Sequence, residues 1–188
     1  MNCKKLSFYL FLLVNLPFTL LAVDDSDIFI DAVFFTAVKK SNYEKTLEMI
    51  ERGVSVNELD SKKMTALAYS VKNDDEKMFD LLLSRGAGIK KPILDKTSIL
   101  IFYISSKKFK LLDKIISAGA DPNFQDNLGR TPLMHAIEQS NIKAINFFLN
   151  LDFDVSITDY GGKSIFDYAM SSRDQSIRKL FKDFKISQ

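Results

Sequence analysis

The chain has 188 residues, 46% hydrophobic and 27% charged, which are the proportions of a folded domain or a short repeat array and not of a disordered chain. Its net charge is only +2 and it has no long Lys/Arg run, which excludes the dense basic face that phosphate-backbone binding requires. One His and one Cys are too few for a Cys/His zinc cage or a His-based relay.

The first 22 residues read apart from the rest. Lys4 and Lys5 precede the apolar run Leu6 to Ala22, and Asp24, Asp25 and Asp27 follow it. This order is that of a secretory signal peptide cleaved after Ala22, although Leu20 is larger than the residue usually found two places before the cut. The alternative is an uncleaved anchor, but the run contains Asn15 and Pro17 and sits at the short limit for spanning a bilayer. Removing it takes away Lys4, Lys5 and Cys3. The mature chain is then electrically neutral and thiol-free, stabilised by packing alone, and expected in the periplasm or outside the cell.

From residue 27 onward two landmarks recur every 33 residues. Gly53, Gly86 and Gly119 hold one step each and Asp152 the next. Apolar pairs precede them: Met49-Ile50, Leu82-Leu83, Ile115-Ile116 and Phe148-Leu149. In phase with these run Thr65-Ala66-Leu67, Ser98-Ile99-Leu100, Thr131-Pro132-Leu133 and Ser164-Ile165-Phe166, with Ala32-Val33-Phe34 as a degenerate first copy. Thr131 suits a helix N-cap, Pro132 the first helical position, and Gly119 the left-handed position that stops a helix. A second helix per copy follows from apolar spacing at Ile142, Ile145, Phe148 and Leu149. A unit this small cannot bury a core alone, so copies must stack.

These residues carry a resemblance to the ankyrin repeat family. The stretch from Asp126 through Gly129, Thr131, Pro132 and Leu133 to Ala136 is similar to the family's D-x-x-G-x-T-P-L-H-x-A, and Ile115 to Asn123 to its L-L-x-x-G-A-D-x-N. The resemblance spans about residues 27–184. It implies an all-α ankyrin-repeat solenoid: about five stacked helix-turn-helix units, caps included, joined by β-turn fingers. The repeats fall near 27–59, 60–92, 93–125, 126–158 and 159–188.

The pattern departs in two places. In the fourth repeat Met134 occupies the family's His slot and His135 stands one place later, which puts the family's His-to-turn hydrogen bond in doubt. In the third, Ile93 replaces the turn Asp, Lys96 the turn Gly, and Tyr103 fills a slot that is otherwise small. Its helix, Ile99 to Ile104, is apolar nearly all round. Two readings stand: burial on both sides, or Phe102 or Tyr103 facing the groove as an anchor. Tyr103 is expected to disturb the neighbouring helices.

No catalytic, cofactor-binding or metal-binding residues are expected. His135 reads as a packing residue, and Asp24-Asp25 and Asp74-Asp75 as solvated caps. The resemblance implies a protein partner met by the fingers and first helices; no nucleic acid, no membrane in the mature form and a monomer are also expected. Carried onto this chain, the partner-binding residues are Met64, Leu94, Leu128, Arg130, Tyr160 and Lys163. Exposed apolar finger residues cost solubility unless something covers them. The competing reading is that each leans onto the adjacent repeat. The expected function is an exported, non-catalytic binding module, either an inhibitor or immunity protein or a secreted host-interacting factor. The alternative is an envelope-tethered structural or chaperone-like scaffold.

Overall fold

In this computed structural model the described residues are 25–94 and 96–186, so the segment 1–22, expected from the sequence to be an export signal, lies outside them. They form ten helices: α1 (Asp25–Lys39), α2 (Tyr43–Glu51), α3 (Ala66–Asn73), α4 (Glu76–Ser84), α5 (Ile99–Ser105), α6 (Leu112–Ser117), α7 (Pro132–Glu138), α8 (Ile142–Phe148), α9 (Ile165–Ser171) and α10 (Gln175–Ile186). Beside them stand two isolated β-bridges, Ile93 with Thr97 and Thr158 with Ser164, each closing a finger.

The helix starts follow from two rows of capping residues. Thr65, Ser98, Thr131 and Ser164 have extended backbones, and each side-chain oxygen accepts the N–H three residues on. This satisfies one of the donors that a helix N-terminus leaves without a partner. A second row, Asn42, Asp75 and Asn141, does the same for α2, α4 and α8. Between the helices of each of the first four pairs a single left-handed residue makes the turn: Ser41, Asp74, Lys107 and Ser140. The next amide then reaches back into the first helix, Asn42 to the Ala37 carbonyl, Asp75 to Ser70 and Asn141 to Ala136, each at 2.9 Å.

Helices pair as α1 with α2, α3 with α4, α5 with α6, α7 with α8 and α9 with α10, while the first helices stack in the order α1, α3, α5, α7, α9. One apolar core runs from Phe34 to Phe181 without interruption. The chain is therefore an all-α solenoid in which no pair buries its own core. In α10, Ile177 and Phe181 are buried while Lys179 and Lys182 are exposed, so the last pair has a polar outer side.

The third pair is irregular. Ile99, Leu100, Ile101, Tyr103 and Ile104 are buried and Phe102 is partly so, which favours the two-sided burial of α5. Tyr103 is wholly buried and faces no groove. Lys108 stands where the other pairs have Asn or Asp, and a lysine cannot accept an amide. The Tyr103 hydroxyl takes over: it accepts the Leu111 N–H at 2.7 Å and donates to Asp74 Oδ1 at 2.8 Å. Helix α6 accordingly begins at Leu112, about a turn later than the 33-residue phase requires, with no side-chain cap of its own. Tyr103 thus acts by relocating the start of its partner helix.

Candidate functional site: the fingers and the ends of the first helices

The fingers of the second, fourth and fifth repeats are each built around one carboxylate. Asp60 Oδ1 accepts the N–H groups of Lys62 and Met64, Asp126 Oδ1 those of Leu128 and Arg130, and Asp159 Oδ1 those of Gly161 and Lys163. Accepting two amides, the carboxylate folds the chain into a tight turn. Its second oxygen is held from the first helix of the same repeat. Tyr69 donates its hydroxyl to Asp60 at 2.6 Å and Tyr168 to Asp159 at 2.7 Å, while His135 Nε2 lies 2.9 Å from Asp126 Oδ2.

The bond in doubt is thus made by His135, one place after the family's slot, and His135 is more than a packing residue. Met134 instead closes the cap, its Sδ accepting the Thr131 N–H. In the third finger both partners change at once: Ile93 is buried where the acid would be, and Phe102 stands where the hydroxyl would be.

Electrostatics follow this geometry. Burial alone would push the Asp126 carboxyl up, but the Arg130 N–H and guanidinium, then His135 and the Leu128 N–H, outweigh it and hold it down at about 2. Asp60 is lowered in the same way, with Tyr69, Met64 and Lys39 outweighing burial. These carboxylates are structural acceptors, committed to the turns that hold the fingers.

Adjacent fingers are tied to one another. The Leu94 N–H donates to the Lys63 carbonyl at 2.9 Å, and the Tyr160 N–H to that of Leu128 at 3.0 Å. Fingers also touch the ends of the first helices: Lys39 on α1 reaches Asp60 at 3.0 Å, and Arg130 bridges Asp126 at 2.9 Å and Glu138 on α7 at 3.0 Å. Fingers and helix ends therefore form one continuous face.

Three of the six expected residues stand out from that face. Leu94 is 42% exposed, Leu128 58% and Tyr160 72%. Tyr160 also leans on its neighbour, since its ring packs against Gly129. Lys163 is exposed and borders a hollow of about 530 Å³ with Glu138, Asp167, Tyr168 and Arg173. Arg130 is half-tied by its two carboxylates. Met64 is a correction: it is 4% exposed and belongs to the core. At the same repeat position Arg130 and Lys163 carry charges that must reach water, whereas the thioether of Met64 gains by turning inward.

The described helices include none long and apolar enough to cross a membrane. Residues 100–188 match the family model described as ankyrin repeats (3 copies). Phosphocholine transferase AnkX of Legionella pneumophila is 28% identical over 153 residues, which are 68% of this chain and 16% of that protein. A putative ankyrin repeat protein of Rickettsia felis is 26% identical over 121 residues, 64% of this chain and 42% of that one. The nuclear factor NF-kappa-B p105 subunit of Gallus gallus is 29% identical over 139 residues, 67% of this chain and 13% of that protein. The chain spans less than half the length of each of these relatives.

Proposed function

We propose that this ankyrin-repeat solenoid is an exported, non-catalytic module that grips one protein partner with its fingers and first-helix ends. The observation that carries the reading is the row Leu94, Leu128 and Tyr160, whose side chains stay exposed although two of their amides are tied to the neighbouring finger. Large apolar groups fixed on rigid turns lose little freedom on binding, and aromatic anchors dominate interface energies. The carboxylates of the face serve the turns, so nothing in this arrangement asks for a catalytic role. Export rests on the order of charges and apolar residues in 1–22 and places the partner in the periplasm or outside the cell. A toxic or hydrolytic enzyme neutralised in the producing cell is one such partner, and a host protein is another.

The test is affinity capture from envelope and medium fractions with the purified chain as bait. Leu94→Ser, Leu128→Ser and Tyr160→Ser together should leave the helical content intact and lose the captured protein. Capture that survives the triple substitution would sink the reading. The intact mass of the native protein decides export against tethering, because cleavage after Ala22 removes 22 residues and an envelope-tethered scaffold retains them.

A further inference from the structure

The loops that follow the second helices are tied to one another by a side-chain amide. Asn57, after α2, donates its Nδ2 to the Gly86 carbonyl at 2.9 Å and accepts the Gly88 N–H on Oδ1 at 2.7 Å. A carbonyl can only accept and an N–H can only donate, so these two partners fix which way the amide points. Two repeats on, Asn123 Oδ1 accepts the Asp154 N–H at 3.0 Å. The residue between them in the 33-residue phase is Lys90. It stands exposed in the same turn, and an ammonium cannot accept an N–H.

The groups that an amide at position 90 would tie are the Gly119 carbonyl and the Asp121 N–H, the equivalents of Gly86 and Gly88. Their loop keeps the shape of the tied one. Gly86 and Gly119 are both left-handed, with φ of 85° and 95°, and the Ala87 and Ala120 N–H groups reach back to Leu82 at 3.0 Å and Ile115 at 3.2 Å. Yet among the described residues neither the Gly119 carbonyl nor the Asp121 N–H has a hydrogen-bond partner. A hollow of about 390 Å³ opens at this place, lined by Lys90, Gly119 and Asp121 and walled by Ile89, Pro122 and Phe124. The loop is thus formed, and only the amide that ties its counterpart is missing.

Building on the protein-binding reading above, we propose that this hollow seats the carboxamide of an Asn or Gln side chain of the partner, in the place that Asn57 holds one gap earlier. The chemistry it accepts is narrow. A carboxylate accepts without donating, and a guanidinium or ammonium donates without accepting. A trans peptide group turns its N–H and C=O to opposite sides, so it cannot reach a carbonyl and an amide of one loop together. A primary amide carries donor and acceptor on one edge, as Asn57 does. The walls of Ile89, Pro122 and Phe124 then pack the methylenes of the incoming side chain.

Hydrogen exchange reads the vacancy directly. In the parent chain the Asp121 amide should exchange at least about tenfold faster than the Gly88 amide. Lys90→Asn should slow Asp121 to the level of Gly88 and raise the urea midpoint, because it supplies the missing bonds from within. Equal protection of the two amides in the parent would overturn the proposal.

The probe for the occupant is a displayed library of random peptides of about 12 residues, which span roughly 40 Å when extended. It is selected on the purified chain and counter-selected on Lys90→Asn, whose hollow is filled. Surviving peptides should share an Asn or Gln and lose about tenfold in affinity when it becomes Asp, Glu or Leu. They should bind Lys90→Ala, which leaves the hollow open, as well as they bind the parent. Survivors without a shared Asn or Gln, or no survivors at all, would overturn the proposal. Equal loss in Lys90→Ala and Lys90→Asn would overturn it too, in favour of the ammonium. Peptides indifferent to Lys90→Asn that still need Leu94, Leu128 and Tyr160 would sink the carboxamide site and leave the protein-binding reading standing.

Discussion

The ring of Tyr160 packs on Gly129 so closely that a Cβ at Gly129 would come within 2.6 Å of both ring Cδ1 and the Tyr160 amide nitrogen. One repeat thus props up the anchor of the next, and the anchor stays 72% exposed while it leans. Gly162 holds the equivalent place in the last finger, with φ of 81° against 79°, and nothing lies near its missing Cβ. Lys63 and Lys96 already hold a similar left-handed backbone. Gly162→Ala is therefore expected to cost only the backbone strain of about 1–2 kcal/mol. Gly129→Ala adds an overpacking cost of roughly 1–3 kcal/mol. Urea midpoints of the two variants measure this, and equal losses would mean that Tyr160 does not press on Gly129.

Asp60 and Tyr69 give a second test, because the protein contains its own control. The third repeat replaces both partners, with Ile93 for the acid and Phe102 for the hydroxyl, and still folds into the stack. Removing one partner alone strands the other in a mostly buried place. Tyr69→Phe is expected to cost about 1–3 kcal/mol, as is typical for a hydrogen bond to a carboxylate. Asp60→Ile combined with Tyr69→Phe should cost less than the sum of the single changes, by about 0.5 kcal/mol or more. Strict additivity in the urea midpoints would show that the pair is not coupled.

The number of repeats and the helix starts at Thr65, Ser98, Thr131 and Ser164 were legible because one glycine row and one Thr/Ser row keep a single period. The row Asn42, Asp75 and Asn141 and the pairing of a finger acid with a residue nine places on share that period, and of these only Asp75 reads as a cap from the sequence. They were harder to see because chemically unlike residues fill them: His135 does in one repeat what Tyr69 and Tyr168 do in others. The late start of α6 is different in kind. It depends on a phenol long enough to reach the Leu111 amide, a distance in space that no periodicity contains. The burial of Met64 was missed because position within a finger does not fix direction, and side-chain polarity decided it.

Acid should loosen the fingers. The native Asp126 carboxyl titrates at about 2, whereas an unfolded aspartate titrates near about 3.9. Protons then bind the unfolded chain first, so this group's contribution is fully present above about pH 4 and lost as pH falls towards about 2. The Asp126 side chain is only 11% exposed, which keeps solvent screening modest, and its share is about 1–2 kcal/mol. Asp126→Asn should be less stable than the parent near neutral pH, and the gap should close as the pH approaches about 2. Urea midpoints across that range check it, and a gap that does not change with pH would contradict the assignment.

Tyr103 offers the sharpest test of how the third repeat is built. Its phenol is wholly buried and bonded on both sides, to Asp74 and to the Leu111 amide. Burial, then the Asp74 carboxylate, pushes its ionisation well above the usual phenol range, so it remains a neutral donor and acceptor. Tyr103→Phe keeps the ring and removes only the oxygen, leaving a buried N–H with no acceptor among the described residues. That costs about 1–3 kcal/mol. A cost alone would not separate capping from packing, but hydrogen exchange does. If the hydroxyl caps the segment before α6, the Leu111 amide and the first turn of α6 should exchange faster in Tyr103→Phe, with α5 little changed. A uniform rise across both helices would mean that Tyr103 serves the core and that the late start of α6 has another cause.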